Sequence, residues 1–240
     1  MKTTEVMDYH FINSDINSFV QDLNNRLANR LKTFIITANP EIIMYAGEDP
    51  EFRDVIHKAD YIVPDGAGVV IASRILGTPL MERITGFDLM QEILKAAEKK
   101  GYSVYFLGAE PEVIEKAAGK IQGDFPQLNI AGYHHGYIED DTELVNEIRE
   151  KKPDIVFVGL GFPKQEQWIN QHLKDFNHGL FMGVGGSYDV IAGKFKRAPK
   201  AWQKLNLEWF YRLCQQPSRW RRMSVLPVFM LKAIKKKITR

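Results

Sequence analysis

A single cysteine, Cys214, stands in 240 residues. It excludes an internal disulfide and a cysteine-built metal centre, and it fits a reducing compartment. No run approaches the ~20 apolar residues needed to span a bilayer. The opening stretch MKTTEVMDYHFINSD lacks the apolar segment of a secretory signal, so a cytoplasmic protein is expected. No strand-like run leads into G-x-G-x-x-G with an acid ~20 residues on, which argues against a dinucleotide site. Ser187 lies outside any G-x-S-x-G, so a nucleophile elbow is excluded. His134-His135 have no H-x-x-x-H spacing or partner acids, and they read as loop residues rather than metal ligands. Acids are scarce at one end of the chain. From Lys194 onward there are 14 Lys and Arg against one acid, Glu208, which leaves 18 cations and 29 acids for the rest. An acidic body with a basic tail points to an anionic partner for that tail, lipid or nucleic acid.

Apolar content of 45% and charged content of 26% suit one globular domain, alone or with an appendage. The most telling stretch is Ile155 to Trp168, IVFVGLGFPKQEQW. An apolar β-branched and aromatic run meets Gly159-Leu160-Gly161 and Pro163, then a helical pattern. Glycines there allow a sharp turn and close approach of a ligand, and N–H groups at a helix start attract anions. A tight turn with no ligand would look the same. The plan recurs, however, in VYFLGAEPE, LNIAGYHHGY and GLFMGVGGSYDVIAG. Strands alternating with helices imply a Rossmann-like α/β fold, a parallel sheet with helices on both faces and glycine loops converging on one edge. Such a convergence suits a nucleotide diphosphate.

Earlier in the chain, Asp15 to Asn29 reads as an amphipathic helix with Ser14 as its cap, and Phe34-Ile35-Ile36 as a buried strand. In Thr37-Ala38-Asn39-Pro40, Asn39 can cap and Pro40 can start the next helix. Asp65 of PDGAG sits at a strand end ahead of a helix, as either a cap or a catalytic base. Arg83 precedes a helix start, where an anion would suit it better than the helix dipole does. Glu139-Asp140-Asp141 could hold a metal, but they lead directly into ELVNEIREKK, and a solvated helix start is the better account. The tail carries aromatic and apolar stripes edged by arginine. These fit either a helix packed on the core or an interfacial segment resting on anionic lipid.

TANPE (37–41), PDGAGVV (64–70), GLGFPKQE (159–166), GVGGSYDVIAGKFKRAP (183–199) and LEWFYRL (207–213) resemble the WecG/TagA/CpsF glycosyltransferases, over nearly the whole chain. The resemblance implies an inverting, metal-independent enzyme with no cofactor, of the type that begins the wall teichoic acid linkage unit. Its donor would be UDP-ManNAc and its acceptor the 4-hydroxyl of GlcNAc on undecaprenyl diphosphate, giving a β1,4 bond and UDP. Relatives that use the uronic acid of ManNAc leave the donor open. By motif, Asp65 would be the base, with Thr37 and Asn39 beside the acceptor and Arg83 and Gln167 in the active-site wall. Gly108, Gly159, Gly161, Gly185 and Gly186 would line the UDP loops, and Arg212, Arg219 and Arg222 would belong to an appendage closing over the site. The implied layout is a core over residues 1–195 and a membrane-associating helical appendage over 196–240. The protein would then be peripheral on the inner face of the cell membrane, with no nucleic-acid partner and a homo-oligomer left open. A non-catalytic nucleotide or nucleic-acid module is the alternative; it would not require Asp65.

Overall fold

Short, near-continuous apolar runs become strands buried on both sides, as a covered parallel sheet requires. The computed structural model describes residues 1–205, 207–217, 220 and 224–239. Among them, eight strands form one sheet: β1 (Thr3–Val6), β2 (Tyr9–Ile12), β3 (Lys32–Ala38), β4 (Tyr61–Pro64), β5 (Ser103–Gly108), β6 (Asn129–His134), β7 (Ile155–Gly159) and β8 (Gly179–Gly183). Their order is β1-β2-β4-β3-β8-β7-β5-β6, and every pairing but β1–β2 is parallel. The expected α/β architecture is present, and the sheet is larger than the sequence pattern implied. The hairpin β1–β2 turns through Met7 and Asp8, both at positive φ, in a stretch too polar to announce a strand.

Alternation along each strand feeds two cores. Phe34 and Ile36 face one side of β3 and Ile35 the other, and Val156 and Val158 oppose Ile155 and Phe157 on β7. One face is covered by α2 (Pro40–Glu48), α3 (Pro50–His57), α4 (Ala67–Ile75), α7 (Thr142–Lys151) and α8 (Lys164–His172). The other carries α1 (Ile16–Ala28), α5 (Gly86–Lys100), α6 (Pro111–Asp124) and the short α9 (Ser187–Ile191). The neighbouring central strands β3 and β8 send their following helices, α2 and α9, to opposite faces. A crevice opens at such a switch point, beyond the strands' carboxyl ends. Helix starts follow local chemistry. Asn39 Oδ1 accepts from Ile42 N–H at 3.0 Å with Pro40 behind it, as expected. Asp15, rather than Ser14, caps α1 by accepting from Ser18 N–H at 2.9 Å.

The basic end of the chain forms α10 (Lys200–Lys204), α11 (Glu208–Gln215) and α12 (Val225–Ile238). α12 packs against α4 and α2, and Phe229 and Ala233 are fully buried in the first core. Lys236 pairs with Asp8 of the β1–β2 turn. One face of this helix is therefore structural, while Val228, Leu231, Ile234 and Ile238 remain exposed on the other. Phe229→Ala should cost about 3–5 kcal/mol in urea unfolding, as large-to-small changes in a closed core do. A loss below about 1 kcal/mol, the range of surface substitutions, would show that α12 adds little to the body. Among the described residues, no helix is long and apolar enough to cross a membrane.

Candidate active site

Asp65 follows β4 and stands at the head of a cleft of about 260 Å³. It does not cap its own helix: Gly66 occupies that position, with no side-chain cap bond. Instead Asp65 Oδ2 accepts from Gly86 N–H, the first residue of α5, at 3.4 Å. Its backbone N–H is held by Ala38 O at 3.0 Å, which fixes it against the tip of β3. Desolvation pushes the Asp65 carboxyl above the usual carboxylate range; the guanidinium of Arg212, the Gly86 N–H and then Arg83 oppose that rise. A recessed carboxylate with a raised pKa, open to a cleft, is equipped to accept a proton.

Neighbouring strand tips supply the rest. Thr37 is the next-to-last residue of β3, and its hydroxyl donates to Gly183 O at 3.4 Å. A Cβ on Gly86 would lie 3.1 Å from that hydroxyl, so glycine lets α5 start directly over β3. Gln165 Oε1 accepts from Gly185 N–H at 2.9 Å, and Gln165 Nε2 donates to Glu166 Oε1 at 2.7 Å. Glu166 is buried with no cation beside it, and desolvation pushes its pKa up to about 8, with the Gln165 bond opposing. Gln165, not Glu166, reaches the cleft, with Glu166 buried behind it. The far wall belongs to the tail: Glu208, Trp209 and Arg212 from α11, and Leu226 from α12, line the same cleft. Leu226 and Pro40 press so closely on Gly68 that a Cβ there would lie 2.6 Å from each.

The chain matches the family model of the glycosyl transferase WecG/TagA/CpsF family over residues 4–240. It is 41% identical over 236 residues to a Bacillus spizizenii protein named N-acetylglucosaminyldiphosphoundecaprenol N-acetyl-beta-D-mannosaminyltransferase, covering 98% of this chain and 92% of the relative. Proteins of the same name from Bacillus subtilis and Staphylococcus aureus are 39% and 43% identical, over 98% and 97% of this chain and 92% of each relative. The chain belongs to the WecG/TagA/CpsF family of glycosyl transferases.

Within this family member, Thr37, Asn39, Asp65, Arg83, Gly161, Gly185, Gly186 and Arg212 do meet around one cleft. Gln167 does not. It lines a second depression, of about 760 Å³, and Gln165 takes the place in the first. Two residues apart on α8 is roughly 200° of rotation, so only one of the pair can face the cleft. Gly108 and Gly159 are glycine for packing reasons. A Cβ on Gly108 would fall 2.4 Å from the Gly159 backbone, and one on Gly159 would fall 2.5 Å from the Tyr188 ring. Gly161 and Gly185 share positive φ with Gly108 but differ in having open space where a Cβ would point. The Gly185 N–H is already engaged by Gln165, so this loop offers a ligand fewer amides than its glycines imply. Arg219 and Arg222 lie outside the described residues.

Sequence reasoning missed Gln165, Glu208, Arg197 and Leu226. Glu208 was visible as the one acid in a basic tail, which is a signal of a specific partner. Asp140 and Asp141 serve their own neighbourhood: Asp140 Oδ1 accepts from Thr142 N–H at 2.9 Å, and Asp141 Oδ2 pairs with His172 Nε2 at 2.8 Å.

Proposed function

We propose that the protein moves N-acetylmannosamine from UDP-ManNAc to the 4-hydroxyl of GlcNAc on undecaprenyl diphosphate, with inversion at the anomeric carbon. The observation that carries this is the recessed Asp65 between Arg83 and Arg212, in a cleft at the carboxyl edge of a family glycosyltransferase. Asp65 takes the acceptor's hydroxyl proton as that oxygen bonds to the anomeric carbon. The bond from that carbon to the UDP oxygen breaks, and its electron pair leaves with the diphosphate. Arg83 and Arg212 meet the charge that develops there. Thr37 and the free amide end of Asn39 flank the acceptor sugar. The second depression adjoins the first along Gly159 to Gln167, but Glu110, Glu139, Asp140, Asp141 and Asp189 in its lining outnumber Lys164 and Lys194, so the diphosphate belongs on the arginine side of the first cleft.

The relatives' printed name supports this acceptor and this sugar. In this reading the core spans residues 1–195, and residues 196–240 both complete the cleft and rest on the membrane. The outward stripe of α12 lies beside Lys232 and Lys235, with Trp209, Phe210 and Trp220 also exposed. Each such cation near an anionic leaflet contributes roughly 1 kcal/mol. The deciding assay supplies a GlcNAc-diphospho-lipid with a panel of UDP-sugars and detects released UDP, with and without EDTA. UDP-ManNAc should be the productive donor. Transfer should survive EDTA, since among the described residues Asp140 and Asp141 join no group of three or more His, Cys, Asp or Glu side chains that could hold a metal. Release of UDP only from the uronic acid donor would reassign the sugar, and a metal requirement would reassign those acids.

A further inference from the structure

Glu208 is buried, yet it is the acid in a tail full of cations, and three arginines converge on it. Its Oε2 faces Arg83 Nη2 at 3.4 Å, and its Oε1 faces Arg212 Nη2 at 3.2 Å and Arg197 Nε at 3.7 Å. These contacts differ in kind from the one that fixes Arg197. That guanidinium is anchored on Asp88 Oδ2 at 2.7 Å and lies 4.7 Å over the Phe87 ring, and Asp88 is in turn tied to the Thr85 hydroxyl at 2.7 Å. Among the described residues Arg83 and Arg212 have no such second anchor, and both line the cleft beside Asp65. A short, well-aligned arginine–carboxylate pair measures about 2.7–2.9 Å. Glu208 holds these two loosely, each by a single contact, and Arg197, anchored on Asp88, adds only a longer approach at 3.7 Å.

Resting on the donor reading above, we infer that Glu208 is a positioning residue that stands in for the substrate's diphosphate. It keeps Arg83 and Arg212 gathered over the cleft between turnovers and competes with the nucleoside diphosphate for them, so that the product can leave. Two cations facing a diphosphate with no internal rival would bind product and substrate alike too firmly, and tight uniform binding does not raise turnover. The carboxylate also ties α11 to the body through Arg83, so the arginines are in register before a ligand arrives.

The test uses the full chain and Glu208→Gln, which keeps the shape and removes the charge. Calorimetric titration with UDP and with inorganic diphosphate should give dissociation constants about 5- to 10-fold lower than the parent's, the scale of losing one close like charge. In transfer assays UDP should become a correspondingly stronger product inhibitor while kcat falls. A merely structural Glu208 would instead weaken binding and turnover together. Adding Arg212→Gln to Glu208→Gln should erase the gain in affinity. If Glu208→Gln does not fold, Glu208→Asp, with its shorter reach, should show a smaller tightening. Unchanged or weaker binding by a folded variant, with the parent binding UDP normally, overturns the inference about Glu208 alone. Failure of the parent to bind UDP overturns the donor reading, and this inference with it.

Discussion

Asp65→Asn should lower transfer by about 10²–10⁴-fold, the usual contribution of a positioned general base. UDP should bind the variant at least as well as the parent, because the change removes a negative charge from the cleft. The pH dependence follows from the direction of the Asp65 shift. Its carboxyl is raised by desolvation, so the acid limb of kcat/KM in the parent should fall above the ordinary carboxylate range. The same shift bears on stability. A group whose pKa is higher folded than unfolded favours the folded state below its unfolded pKa, and loses that contribution as pH rises through the folded value. Wherever Asp65 is ionised in the folded protein its charge is therefore a cost, and Asn removes it. Asp65→Asn should melt higher than the parent at pH 7–8, by about 2–4 °C for each kcal/mol regained in a chain of this size. The gain should shrink toward pH 4. Near-parental turnover would return Asp65 to the role of a loop residue. A lower melting point at neutral pH would mean that its charge is compensated by Arg212 and Arg83 more fully than desolvation allows.

Removing the chain from Lys200 onward should abolish transfer even to a short, soluble acceptor. The cut takes away Glu208, Trp209, Arg212 and Leu226, the whole far wall of the cleft. It also uncovers the seat of Phe229 and Ala233, so the remaining body should fold with a lower melting point and an exposed apolar patch. A second variant separates wall from surface: Leu231→Glu with Ile238→Glu alters residues that are 66% and 78% exposed. It should stop floating with anionic vesicles while its kinetics on a soluble acceptor stay near the parent's. Vesicle flotation and soluble-acceptor rates are the two readouts. If the truncated chain still turned over the soluble acceptor, the tail would be no part of the active site.

The strands and the cleft's body side were legible because they rest on local rules. Apolar runs of three or four residues marked β3, β7 and β8, and glycines marked the tips of β7 and β8. The TANPE cap geometry at Asn39 was readable residue by residue. The first hairpin was not, because an edge strand such as β1 needs no apolar run. Choosing between Gln165 and Gln167 required the phase of α8, which a motif does not carry. The tail was legible only as alternatives, a helix packed on the core or an interfacial one. Its aromatic and cationic residues serve three surfaces at once, namely the core, the cleft and the solvent side. A one-dimensional stripe cannot say which residue goes to which. Phe229 and Leu231 are both apolar and two positions apart, yet one is fully buried and the other mostly exposed.

The far wall has a further consequence in the order of synthesis. Every strand of the sheet is translated by Gly183, but Arg212 and Leu226 emerge from the ribosome later. Domains can fold as they are made, at roughly 5–20 residues per second, so the carboxyl edge of the sheet can form on a nascent chain while the cleft still lacks a side. A product cut short by a premature stop or by proteolysis would be inert rather than wrongly active. In the proposed reaction, such a fragment would leave the scarce lipid carrier unspent.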